Sequence, residues 1–447
     1  IYEQAEGLLL KDTSVFPSGG PVIGVQIENE FGHCGGLSGS DGEEHMKTLT
    51  AMAKKAGFDV PLYTATGWGG AVTGGLIPVM GGYCEAPWDQ RLTEIEPSGN
   101  YIFTHERNDH NIGSDFGIGT GITFDLSKFP YLTAELGGGL QVTKHRRPLA
   151  SAQDIGAMSL VKLGCGVNLL GYYMYHGGTN PAGKLSTLQE SRETGSINDL
   201  PELSYDFKAP IREYGQLSET YRELSLLTKF TADFGSELCS MSAVIPHDNP
   251  LFPTNDRDLR FSFRENDKGE GYVFVNNYQR HRKMRDHKNV NITAPESASR
   301  ISVRFPSIDV PDAAYFFLPY NMNIGNGRLE YSLASPLCIL QKDKPVYVFY
   351  TAHSKAQTLL AQGRINDLYK FSVKPSDAEI ITLSRNEALN AVKIDNRLFI
   401  STAEIYSDAD FVYCGFRRSS YECMTNLIER TDEKSMYQLD IPQWEGD

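Results

Sequence analysis

PVIGVQIENEF, residues Pro21 to Phe31, is a short apolar run with glycines just outside both ends. Its β-branched content and length read as one strand. Alternate side chains of a strand share a face, which groups Gln26, Glu28 and Glu30 on one side and Ile23, Val25 and Ile27 on the other. Three polar side chains cannot pack beneath a helix without a large desolvation cost. A barrel strand avoids that cost when its C-terminal end opens into a site at the rim. Glu30, just before Phe31-Gly32, stands at such an end.

Outward from this strand the pattern alternates. A helix is predicted from Asp41, with Asp41 and Glu44 as a capping box, Met46, Leu49, Ala53 and Ala56 on one face, and Gly57 as the stop. Strands follow at VPLYTATGW (Val60 to Trp68), GLIPVMGGYCE (Gly75 to Glu85), YLTAELGGG (Tyr131 to Gly139) and VNLLGYYMYHGGT (Val167 to Thr179). Helices are expected around Ile155, Met158 and Val161, and from Ser218 to Phe230 with Tyr221, Leu224 and Leu227 on one side. Strands alternating with helices imply a parallel sheet with crossovers. From about residue 235 aromatic and β-branched strands alternate with turns instead: GYVFVNNY from Gly271, AAYFFLPYN from Ala313, KPVYVFYTA from Lys344 and RLFISTAEIY from Arg397. The expectation is a multidomain chain, α/β over residues 1–234, an antiparallel β-domain over 235–375 and a second over 376–447. The basic stretch Arg280 to Lys288 is expected to be a solvated hairpin tip, and the sequon Asn291 to Thr293 is a pattern common by chance.

With 40% hydrophobic and 22% charged residues over 447 positions, the chain is neither disordered nor a coiled coil, and no apolar run is long enough for a membrane helix. The net charge of -14 argues against nucleic acid as a partner and favours a neutral small ligand. Seven cysteines at 34, 84, 165, 239, 338, 414 and 423 give an odd count without CxxC spacing, hence neither a disulfide framework nor a zinc site. That usage fits a reducing, cytoplasmic compartment, while an opening at Ile1 leaves a secreted origin open.

YLTAELGGG repeats the pattern of the first strand: Tyr131, Thr133 and Glu135 share a face, Leu132, Ala134 and Leu136 the other. Its three glycines admit close approach of backbone or ligand. Two strand-end carboxylates on one barrel suggest glycoside hydrolysis, one acid protonating the leaving oxygen while the other attacks or activates water. No metal-ligand spacing accompanies them, and that chemistry requires neither metal nor cofactor. Trp68, Trp88 and Tyr83 are candidate platforms for a sugar face, although aromatic rings also fill cores. For His176 a structural hydrogen bond is the expected role.

Four blocks now stand in order: GGPVIGVQIENEFG (Gly19 to Gly32), YLTAELGGG, YYMYHGGTNP (Tyr172 to Pro181) and SYDFKAPIREYG (Ser204 to Gly215). Together they resemble glycoside hydrolase family 35, the β-galactosidases with a (β/α)8 TIM-barrel catalytic domain. The resemblance implies Glu30 as general acid/base on the fourth barrel strand and Glu135 as nucleophile at the end of the seventh. It implies Asn29 as a hydrogen-bond partner near the sugar 2-hydroxyl, and Tyr173 and Tyr205 as walls of the galactose pocket. Glu28, from the strand face, and Trp88, from its ring, complete the substrate-binding candidates. A retaining enzyme holds its carboxylates about 5–5.5 Å apart, so Glu30 is expected to have a raised pKa beside an ionised nucleophile.

The implied activity is a retaining exo-β-galactosidase that releases terminal β-linked galactose from an oligosaccharide or glycoconjugate. An exo-β-glucosaminidase on the same scaffold is the alternative within the class. A non-catalytic carbohydrate-binding protein is the alternative outside it, opposed by the presence of Glu30, Glu135 and Asn29 together. The expected partner is the glycan, not nucleic acid or membrane, with homo-oligomerisation left open. The five predicted strands match the family's fourth to eighth, and WEGD at Asp447 resembles a point from which the family continues into a further β-sandwich. Lacking three strands, the 447 residues alone are expected to fold poorly or be inactive, because open barrel edges and interior are liabilities. Gly137 stands where some members carry an aromatic residue.

Overall fold

The computed structural model describes residues 2–33, 35–68, 70–107, 122, 124–184, 190–296 and 302–400, together with the backbone of four short strands between 404 and 439. Cys34, Cys423, the Cys414 side chain and the terminal WEGD lie outside the described residues. Contacts divide the chain into two compact units that interleave along it.

The first unit comprises residues 1–150, 166–215 and 251–254. It holds a parallel sheet in chain order: β1 (Val25–Asn29), β2 (Leu62–Ala65), β3 (Ile77–Gly82), β4 (Leu132–Gly137) and β5 (Tyr172–Tyr173). Helix α1 (Gly39–Ala56) connects β1 to β2. It begins before the predicted start, with Ser38 at the N-cap and no side-chain cap, so Asp41 lies inside the first turn and the predicted box does not form. Asp41 there still complements the helix dipole. Gly57 closes the helix as expected, at φ 106°, with its N–H on the carbonyls of Ala53 and Lys54. Met46 and Ala53 are buried against Ile27, Leu62, Val72 and Leu76, with Leu49 partly covered. Ala56, predicted for the same face, is exposed in the last turn. A short ribbon, β6 (Gly178–Thr179) with β7 (Ser204–Tyr205), follows β5.

The second unit comprises residues 151–165, 216–250 and 255–447. Helix α2 (Ala152–Gly164) is capped by a reciprocal Ser151–Asp154 box and buried around nearly its whole circumference. Helix α3 spans Glu219–Cys239. Beside them lies a six-stranded antiparallel sheet, ordered 369–373, 327–332, 315–324, 271–276, 260–265 and 242–244. Val273, Val275, Phe316 and Leu318 carry its core. The buried Arg264 guanidinium is satisfied by three helix-end and loop carbonyls, those of Leu163, Leu238 and Met241. Most of the basic stretch is exposed, as expected, at His281, Lys283, Arg285 and Lys288, but Arg280 itself is not. Arg280 reaches Asp154 at 2.5 Å with side chains only 6% and 2% exposed, and Tyr278 donates to the same carboxylate. Among the described residues no helix is long and apolar enough to cross a membrane.

Candidate active site

Strict alternation does not survive to the end of β1. Gln26 pairs with Tyr63 and Asn29 with Ala65, so Ile27 and Glu28 together oppose one residue of β2. This is a bulge, and Glu28 adopts φ 59° within it. The extra residue carries Asn29 onto the face of Gln26. Gln26, Asn29 and Glu30 therefore line one cavity, while Ile27 is buried on the opposite side against α1. Glu28, expected at the substrate, is instead turned to His45 of α1, Oε1 to Nε2 3.1 Å, and Phe31 stacks on that imidazole at 4.4 Å. The Gln26 amide donates to Asn29 Oδ1 at 3.0 Å and to the Glu28 carbonyl at 3.0 Å. With its oxygen so engaged, Asn29 offers its NH2 group to the cavity.

The end of β4 is shaped the same way. Met80 pairs with Thr133 and Gly81 with Glu135, which leaves Ala134 as the extra residue. Since Met80 and Gly81 face opposite sides, Thr133 and Glu135 do too, contrary to simple alternation. Thr133 is buried and exchanges hydrogen bonds with the Gly171 N–H and carbonyl, at 2.9 and 3.0 Å. Ala134 and Glu135 line the cavity. Gly81 is small for a reason: a Cβ there would lie 2.5 Å from the Trp68 ring and 2.9 Å from Glu135 Cβ. The glycines after Glu135 admit protein rather than ligand. A Cβ at Gly137 would meet the Tyr83 ring at 2.6 Å, and Gly138 and Gly139 lie against the carbonyls of Met174 and Phe207.

The cavity measures about 1290 Å³ and is walled by Trp68, Tyr83, Trp88, Tyr173, Tyr205 and Phe207. Tyr83 meets Trp88 edge-on at 4.9 Å, and the hydroxyls of Tyr173 and Tyr205 are 2.7 Å apart. Tyr83 is more than a platform, because its side chain acts on Glu135 and lowers that carboxyl's affinity for protons. Ser98 and Asn100 hold it from behind by donating to its carbonyl at 2.9 and 3.0 Å. Its place at the end of a strand, like those of Glu30 and Glu135, was the available signal for this role. His176 makes a local contact to the Gly177 carbonyl, in keeping with its structural reading.

Burial pushes the Glu135 carboxyl up to about 8, and the charge of Glu30 adds to the shift while the Tyr83 hydrogen bond opposes it. The carboxyl that burial raises is the one to which the family resemblance gives the nucleophile's place. Desolvation is the largest cause. Burial followed by neighbouring carboxylate and tyrosine charges holds Tyr83 well above the usual phenol range, and Tyr173 and Tyr205 are raised as well.

The glycosyl hydrolases family 35 profile matches residues 8–231, a span containing both bulged strands and every residue of the cavity. The chain belongs to glycosyl hydrolases family 35. Relatives within the family include Beta-galactosidase 10 of Arabidopsis thaliana, 28% identical over 209 residues, 46% of this chain and 22% of that protein. Beta-galactosidase 12 of Oryza sativa subsp. japonica is 29% identical over 212 residues, 47% and 18% of the two chains. Probable beta-galactosidase 2 of Dictyostelium discoideum is 25% identical over 219 residues, 49% and 23%. The alignments span less than a quarter of these relatives' length. A family 35 domain implies a TIM barrel, and the parallel order β1 to β5 is consistent with part of one.

Proposed function

We propose that this cavity is the catalytic cleft of a retaining exo-β-galactosidase, with β1 to β5 in the places of the fourth to eighth barrel strands. The observation that carries the reading is the opening of two strand-end carboxylates, Glu30 and Glu135, into one aromatic-walled cavity where the charge of one acts on the other. The relatives' names supply the sugar. Glu135 attacks the anomeric carbon as Glu30 protonates the departing oxygen; Glu30 then takes a proton from the water that releases the sugar. The productive arrangement has Glu30 protonated and Glu135 ionised, and Tyr83 supports it by lowering the carboxyl that burial raises. Asn29 donates to a sugar hydroxyl, Tyr173 and Tyr205 fix the ring's polar edge, and Trp68 and Trp88 offer faces to its C–H surface.

The test is aryl β-galactoside hydrolysis by the purified chain, with aryl β-glucosaminide and the Glu135→Gln variant in parallel. A 2-deoxy-2-fluoro-β-galactoside is added to trap the glycosyl-enzyme, followed by mass spectrometry. The expected result is galactoside turnover that the variant abolishes and a covalent label on Glu135. Galactoside binding without turnover or label, equal in chain and variant, would identify a binding module; preference for the glucosaminide would move the substrate. The same assay decides whether five strands suffice for activity.

A further inference from the structure

Beyond the two acids, the cavity carries a third carboxylate that the reaction does not use. Glu190 lines it from a rim loop, and its charge bears on both Tyr173 and Tyr205. One oxygen, Oε2, is anchored by Ser196 Oγ at 3.3 Å and Asn198 Nδ2 at 3.1 Å. The loop closes on itself as the Leu200 N–H donates to the Glu190 carbonyl at 2.8 Å. Anchoring one oxygen from inside the loop directs the carboxylate without neutralising it, for both donors are uncharged. Beside it Asn198 also lines the cavity, and its Oδ1 is buried without a hydrogen-bond partner among the described residues. This wall thus presents acceptors, which suit sugar hydroxyls as donors. The charge balance points the same way. Asp89 adds another carboxylate, and among the described residues the one guanidinium lining the cavity, Arg91, is held by Asp89 at 2.6 Å and by Glu96 at 2.8 Å. Among the described residues, His33 is the other basic side chain on the lining.

We propose that Glu190, with Asn198, is a specificity determinant that accepts hydroxyls of the bound sugar and excludes galactosides bearing a negative charge. Glu190 is not a catalytic residue in this assignment; it sets which sugars enter. The inference rests on the galactoside reading of the cavity, so its test reads binding rather than turnover. Calorimetry would compare an aryl 1-thio-β-galactoside with its 3-O-sulfate and its C6-carboxylate analogue, on the chain and on Glu190→Gln. The amide keeps an oxygen for Ser196 and Asn198 but loses the charge.

The expected result is preference for the neutral ligand in the wild-type chain, and a narrowing of that preference by about tenfold or more for at least one anionic analogue in the variant. Two unit charges a few ångströms apart at a protein surface are worth that factor. A merely structural role would weaken all three ligands alike and leave the ratios unmoved, which overturns the proposal. So would anionic ligands that bind the wild-type chain as well as the neutral one. Failure of the neutral thiogalactoside to bind the wild-type chain would instead overturn the galactoside reading itself. Circular dichroism of the variant, with Glu190→Asp as a second carboxylate-bearing variant expected to keep the exclusion, separates misfolding from lost discrimination.

Discussion

Two carboxylates, one in each unit, are treated in opposite ways. Asp154 opens α2 and receives Arg280, the Tyr278 hydroxyl and its own cap, so its charge is matched on every side. Glu135 ends β4 against a tyrosine hydroxyl and a second carboxylate. A structural acid is given a cation, whereas the acid in the cavity is left with neutral company and a like charge, and its affinity for protons rises accordingly. The sharpest way to break this contrast is to orphan Asp154. Arg280→Ala leaves an uncompensated charge in the interior and is expected to cost about 3–5 kcal/mol in chemical denaturation. A loss under about 1 kcal/mol would mean that the pair is solvated and that the contrast fails.

The converse prediction concerns Glu135. Its folded-state pKa of about 8 lies above the ordinary 4.5, so the folded chain binds the proton more tightly than the unfolded one. By linkage, the stability associated with the neutral carboxyl is fully present below about 4.5 and drains away as pH rises through 8. Glu135→Gln removes the titrating group. Its melting temperature should match wild type near pH 4 and exceed it progressively up to pH 8.5, a difference on the order of a few kcal/mol. A constant offset across that range would show that the carboxylate is not desolvated. Activity is expected to move the other way, since the substitution removes the carboxylate proposed as nucleophile.

How much of this could be read beforehand depends on which physical signal carried it. The apolar runs and turn residues located the five parallel strands and the later antiparallel ones, because burial imposes those patterns directly. Glu30, Asn29 and Glu135 line the cavity, whereas Glu28, expected at the substrate, does not, and Thr133, grouped by alternation with Glu135, lies on the other face. Both errors have one cause. A bulge inserts a residue just before each acid, and no composition marks an Ile27-Glu28 or Ala134 bulge in advance. Tertiary partners were likewise hidden. Nothing near Arg280 announces Asp154 more than a hundred positions earlier, and nothing near Glu135 says how strongly burial will raise its carboxyl.

The bulge of β1 also allows the smallest of these effects to be isolated. Glu28 and His45 form a partly exposed pair, 36% and 35% exposed, of the kind that adds roughly 0–1 kcal/mol to stability. Yet Glu28 sits between two residues of the cavity in a left-handed conformation that an L-residue adopts at a cost, and its side chain is tied to α1 through His45, itself stacked on Phe31. If the pair pins the bulge, its loss should be felt one residue on, at Asn29 and Glu30. His45→Ala is expected to shift the denaturation midpoint barely while lowering kcat by about tenfold, because small displacements of catalytic groups are expensive in rate. His45→Gln, which can still donate to Glu28, should recover most of that loss. Equal and small effects of both variants on kcat would mean that the strand backbone alone, through the Glu30 N–H on the Ala65 carbonyl, holds the acid in place.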